Sequence, residues 1–248
     1  MKKYKLYLIY WDVIMIKVVC SIFLISGMVF AGAPPVDDKP LPAPPYTINN
    51  INKLTIALKW DKNSIEKLLD KKFTYDQNFT GGITIFNSKE KTSFSPFSGA
   101  FAWVNGKEKE SGKHIIFSTY GPNELINKIM NRVYNVNASL GSNKVTLIND
   151  NASARTSIRK KNVVSLSAKM TNDCVSKTGS FKILDFSKKD IRINNYFSWQ
   201  SEKVCVANSI NINTKGLYKG YKIREILWAK TYENVTITFD NPLKLATR

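Results

Sequence analysis

Ser93-Phe-Ser-Pro-Phe-Ser-Gly-Ala-Phe-Ala-Trp-Val-Asn-Gly106 is the stretch on which the fold turns. Phe97, Phe101 and Trp103 stand at odd positions, Ala100, Ala102 and Val104 between them, and Asn105-Gly106 ends the run with turn chemistry. That is the period of a strand, not of a helix. Pro96, which cannot donate a ladder hydrogen bond, suits its entrance. The strand sends Phe97, Phe101 and Trp103 to one side, where they wall either a ligand pocket or a strand core.

The same signal recurs along the chain. β-branched and aromatic runs predict strands over 83–86, 100–104, 115–120, 144–148, 163–170, 181–186, 204–212 and 234–239. Turn residues punctuate them at Gly81-Gly82, Asn105-Gly106, Gly141-Ser-Asn143 and Asn149-Asp150. Helical spacing is confined to 61–72, behind the capping candidates Asp61, Asn63 and Ser64, and to 121–133, opened by Pro122. The expected class is therefore mainly β (a β-rich α+β protein): a curved antiparallel barrel-like sheet, which hides its edges, with a few peripheral helices.

The N-terminus reads differently. A basic flank ending at Lys17, the apolar run 18–30 and the small residues Ala31-Gly-Ala33 match a secretory signal. The run is shorter than the about 20 apolar residues that span a bilayer. The expected division is a signal over 1–31, with Met1 or Met15 as the start, a proline-rich spacer over 32–45, and one β domain over 46–248. Export to the periplasm or the medium follows. Of the three cysteines, Cys20 falls inside the signal, which leaves Cys174 and Cys205 as an even pair. The pair predicts a disulfide, two buried thiols being the other reading.

The formal net charge is +18. Cleavage after Ala31 removes four lysines and one aspartate, so +18 becomes +15. The basic residues are scattered over polar faces and turns, which reads as solvated surface and not as a specific nucleic-acid site. An anionic surface and self-association stay open as partners.

Common catalytic signatures are missing: no Gly-x-Ser-x-Gly elbow, no phosphate-binding loop, no His-Glu-x-x-His. No metal ligand set and no cofactor are expected. The single histidine, His114, follows a polar turn and reads as a surface or strand-end residue. Lysine is the plentiful nucleophile, and it can form Schiff bases once an apolar wall or a second cation lowers its pKa.

The order of elements carries a resemblance. WDKNSIEKLL at 60–69, SFSPFSGAFAWV at 93–104, YGPNEL at 120–125 and YKIREILWAKTYENVTITF at 221–239 resemble, in sequence, the framework of the acetoacetate decarboxylase superfamily. The resemblance implies a curved sheet around an apolar pocket and decarboxylation of a β-keto acid through a lysine Schiff base. It also implies where those groups belong, and there this chain departs. The family's lysine pair falls over Ala138 and Ser139, its glutamate over Gly99, and only Arg132 matches its arginine. The expectation is thus an exported protein that keeps a pocket for a small organic acid or apolar molecule without the lysine chemistry. Pocket candidates are Phe97, Phe101, Trp103, Tyr134 and Arg224. The alternatives are a divergent carboxy-lyase using Lys144 or another lysine, with Arg132 and with Glu225 or Arg224, or a basic secreted interaction protein.

Overall fold

The strictest alternation in the chain lies in β1, Tyr46–Trp60, where Leu54, Ile56, Leu58 and Trp60 take one face and Lys53, Thr55 and Ala57 the other. Both faces are buried, so this strand is covered on both sides. The fold comes from a computed structural model that describes residues 40–69, 74–89, 97–107, 112–121, 124–136, 138–186, 192–214 and 220–245. The signal segment expected over 1–31 lies outside the described residues.

β1 pairs antiparallel with β2, Thr80–Ser88, and β2 leads on to β3, Ser98–Asn105, and β4, Lys113–Tyr120. On its other side β1 pairs with β10, Ile223–Phe239, which pairs with β9, Arg192–Thr214. β9 forms a long antiparallel ribbon with β8, Lys161–Phe186. Among the described residues β8 meets β4 at one parallel pair, Lys113 with Ile183, and this pair brings the sheet round into a near-closed ring. The short β5, Ser139–Leu140, runs parallel to the end of β4, and β11, Leu243–Leu245, extends β9.

The outer face of the ring carries the main apolar core. β6, Ser142–Ile148, and β7, Asn151–Ile158, continue the sheet beyond β8. Val145, Ala152, Ala154, Val164 and Leu166 pack with Leu54, Ile56, Leu58, Ile83, Ile85, Ala100 and Ala102. Each large side chain so buried contributes about 1.5–3 kcal/mol, which anchors β1–β3 as the rigid wall of whatever lies on their other face.

α1, Lys62–Ile65, is capped by Asp61, whose Oδ1 accepts from the Ser64 N–H at 2.9 Å, and continues as a 3-10 turn over Glu66–Leu68. It is shorter than its spacing predicted, because only Ile65 is buried while Leu68 is exposed. α2, Glu124–Arg132, buries Ile126, Ile129 and Met130 as expected of an amphipathic helix. Gly81-Gly82, read as a turn, lies inside β2. A Cβ on Gly81 would stand 2.0 Å from the Trp103 carbonyl oxygen, and one on Gly82 2.6 Å from the Trp103 ring. These glycines let the indole lie flat against the strand. Cys174 and Cys205 face each other across β8 and β9 and are joined by a disulfide.

Candidate functional site

The inner face of the ring encloses a cavity of about 450 Å³. Strand alternation decides what lines it. Lys53, Thr55 and Ala57 come from β1, Thr84 and Phe86 from β2, Phe101 and Trp103 from β3, and Lys113 from the start of β4. Opposite them stand Phe181 of β8, Phe197 and Trp199 of β9, and Tyr232 and Phe239 of β10. Phe181 stacks on Phe197 at 4.9 Å between ring centres, and Phe197 meets Phe239 edge to face at 5.0 Å.

Two amines enter this aromatic box. Lys53 is 8% exposed, and its Nζ lies 3.8 Å from the centre of the Tyr232 ring and 4.7 Å from that of Trp199. Lys113, half-buried, places its Nζ 4.0 Å from the Trp103 ring and 4.6 Å from that of Phe181. Among the described residues no carboxylate lines the cavity. The ring faces offset part of the cost of holding ammonium groups without a counter-ion. Burial first, and the nearby Lys113 cation second, lower the Lys53 pKa from its usual 10.5 to about 7. Burial alone brings Lys113 down to about 8. Burial also pushes the Tyr232 hydroxyl up to about 12, so it stays protonated.

The mouth is polar. Asn105 Nδ2 donates to Thr80 Oγ1 at 3.0 Å, and Thr80 Oγ1 in turn donates to the Asp76 carboxylate. That bond is the main cause of the lowered Asp76 pKa. Thr80, Asn105 and Lys113 line both the cavity and an outer groove that contains Asp76, so they form the threshold between the two. On the opposite lip the pairing of β1 and β10 slips by one residue: Ala57 faces Trp228 while Leu58 faces Ile226. The bulge turns both Leu227 and Trp228 toward the cavity, although they are neighbours in sequence.

The residues expected from sequence divide sharply. Phe101 and Trp103 line the cavity, whereas Phe97 and Tyr134 are buried below it around a much smaller hollow beside α2. Lys144 is exposed on β6 and lines an outer groove with Arg155 and Asn213. Arg132 is exposed at the end of α2. Arg224 and Glu225 are exposed on β10, and Glu225 is held by Lys59 at 2.7 Å. None of these four reaches the cavity. His114 is buried and packs edge to face on Tyr75 at 5.1 Å, not at the surface, because strand alternation turns it away from the side that Lys113 takes.

Where the sequence resemblance implies a lysine pair and a glutamate, this chain has Ala138, Ser139 and Gly99. Ser139 is exposed and Ala138 lies outside the cavity lining. A Cβ on Gly99 would stand 2.4 Å from the Phe86 ring and 2.8 Å from that of Tyr120, so packed rings take up the room that a glutamate would need. The amines arrive instead from Lys53 and Lys113, which sequence reasoning passed over. The available signal was the alternation of Lys53-Thr55-Ala57 against Leu54-Ile56-Leu58. Among the described residues no group of three or more His, Cys, Asp or Glu side chains could hold a metal ion.

No protein-family model and no curated protein matches the sequence. Solved structures do match the fold. The chain is similar to acetoacetate decarboxylase from Legionella pneumophila subsp. pneumophila str. Philadelphia 1, with a TM-score of 0.68 and 11% identity over 83% of this chain and 88% of that one. It is similar to the enduracididine biosynthesis enzyme MppR complexed with pyruvate, with a TM-score of 0.62 and 9% identity over 86% and 95%. An acetoacetate decarboxylase-like enzyme from Sphingomonas wittichii RW1 matches with a TM-score of 0.55 and 11% identity over 87% and 98%. With the ring, its cavity and these matches together, the chain has the acetoacetate decarboxylase-like fold, in a form far diverged in sequence.

Proposed function

We propose that this protein forms an imine between Lys53 and the carbonyl carbon of an oxo acid bound in the ring cavity. The observation that carries the reading is the pair of amines in one aromatic-walled cavity, with Lys53 titrating near 7. An ordinary lysine is neutral in only about one molecule in 3,000 at pH 7, whereas an amine with a pKa near 7 is about half neutral. Lys113 supplies the positive charge that a substrate carboxylate needs. The fold neighbours support the substrate class, since one is named for acetoacetate and another was solved with pyruvate.

With a 3-oxo acid the electrons balance without a further reagent. The neutral Lys53 amine adds to the carbonyl carbon, and with one proton taken from solvent the carbinolamine loses water to give an iminium. The bond to the carboxylate then breaks, carbon dioxide departs, and its electron pair passes into the enamine. A proton from solvent then returns to carbon and restores the iminium. Hydrolysis frees the ketone and the amine.

Export belongs to the same proposal. The basic, apolar and small-residue pattern of 1–31 supports it, as does the disulfide, which an oxidising compartment preserves. A second reading, a pocket that binds without covalent chemistry, is favoured by Ala138 and Ser139 standing where the family's lysines belong. Borohydride reduction with pyruvate at pH 8 separates the two. A stable mass adduct on the peptide containing Lys53 is expected, and its absence at saturating pyruvate leaves the non-covalent reading.

A further inference from the structure

We infer that the oxo acid taken by this cavity carries an aromatic ring; the covalent step assumed for it rests on the imine proposed above, but the ring preference does not. Three observations lead there. The first is size. About 450 Å³ lies within the roughly 300–1,000 Å³ of pockets that enclose drug-sized ligands, and a four-carbon acid leaves most of it unfilled. The second is division of the lining. Lys53 and Lys113 sit over separate pairs of rings, Tyr232 with Trp199 and Trp103 with Phe181, so one can hold the carbonyl carbon and the other the carboxylate.

The third is what remains. Beyond the amines the inner surface is made largely of rings, among them Phe86, Phe197 and Phe239. These rings already meet one another stacked or edge to face at 4.9–6.4 Å, the separations at which a further ring would add its own favourable contacts. A methyl ketone would leave this surface facing water or empty space. A phenyl ketone or phenyl-substituted oxo acid would cover it. The inferred class is therefore an aryl-substituted oxo acid, and for the decarboxylation step an aryl 3-oxo acid, released as an aryl ketone and carbon dioxide.

Phenylpyruvate and pyruvate decide the matter on the full chain at pH 8, with calorimetry reading binding and borohydride trapping reading the imine. Phenylpyruvate should half-saturate at a concentration at least about tenfold below pyruvate, as burial of one phenyl group requires. Equal or tighter binding of pyruvate overturns the ring preference even if both acids are trapped. Tighter binding of phenylpyruvate with no adduct from either acid removes the imine and keeps the ring preference. No binding of either acid overturns both. Benzoylacetate against acetoacetate, read as carbon dioxide release, repeats the comparison for the decarboxylation, and faster turnover of acetoacetate at low concentration counts against the inference.

Discussion

Replacing Lys53 with methionine should stabilise the protein at acid and neutral pH, and the gain should fade as the pH rises. Methionine has nearly the length of lysine, no charge, and an affinity for ring edges, so it suits the space beside Trp199 and Tyr232. The wild-type lysine titrates near 7 when folded and near 10.5 when unfolded. Between those values the unfolded chain holds one proton more than the folded one, so wild-type stability climbs with pH at about 1.4 kcal/mol per unit. Below pH 7 the penalty of the buried charge is present in full. From pH 7 to pH 9 the advantage of Lys53→Met should therefore shrink by about 2–3 kcal/mol. Urea unfolding of both chains at pH 6, 7 and 9 measures it, and titrations common to the two chains cancel. A gap that stays constant with pH, or a wild type more stable than the variant at pH 6, would refute a buried amine held near neutrality. Imine trapping should be lost in the same variant, which places Lys53 among residues that lower stability and serve the site.

Lys113→Met removes the cation that helps lower the Lys53 pKa, so the pH midpoint of borohydride trapping should move up from near 7, while Lys113→Arg should leave it in place. Lys144→Ala and Arg132→Ala should leave trapping unchanged within error, since neither side chain reaches the cavity; a loss of more than half would bring them back into the site. Reducing the Cys174–Cys205 bridge, with its separation of 31 residues, should lower unfolding stability by about 3–4 kcal/mol, read by urea melts with and without reductant. Gly82→Ala should cost about 1–3 kcal/mol and disturb the near-ultraviolet circular dichroism of the Trp103 indole, because its Cβ meets that ring and the Ile56 carbonyl.

Much of the architecture was legible because a half-buried strand records its two faces in alternate residues. The run from Ala100 to Val104, the hairpin turn at Asn149-Asp150 and the cysteine pair all carry their structural meaning locally. Alternation tells which residues share a side, however, and not what that side faces. The patterns above place no strand over 46–60, and the set Lys53, Thr55 and Ala57 taken alone reads as a solvent face, yet the ring turns it inward. Lys113 closes a polar run that reads as a turn, and only its pairing with Ile183, seventy residues on in sequence, brings it to the wall of the cavity. Alternation marks Lys53 as sharing a face with Thr55 and Ala57, but that this face and Lys113 enclose a cavity follows from long-range closure, which no local pattern encodes.

The departures from the family pattern then become parts of one arrangement. At Gly99 the rings of Phe86 and Tyr120 close over the backbone, so an aromatic floor stands where a carboxylate was expected. Among the described residues no anion lines this box to keep Lys53 charged, and its neutral form is favoured by burial and by the second amine. The same rings that exclude a carboxylate enlarge the apolar surface offered to a ligand. The proposal ties the glycine at 99, the amines on β1 and β4 and a preference for an aryl group to that one aromatic floor, and Gly99→Ala tests the link. If the rings are the reason for the glycine, the added methyl should destabilise the fold by about 1–3 kcal/mol and weaken phenylpyruvate more than pyruvate. An unchanged ratio between the two acids would separate the floor from ligand selection.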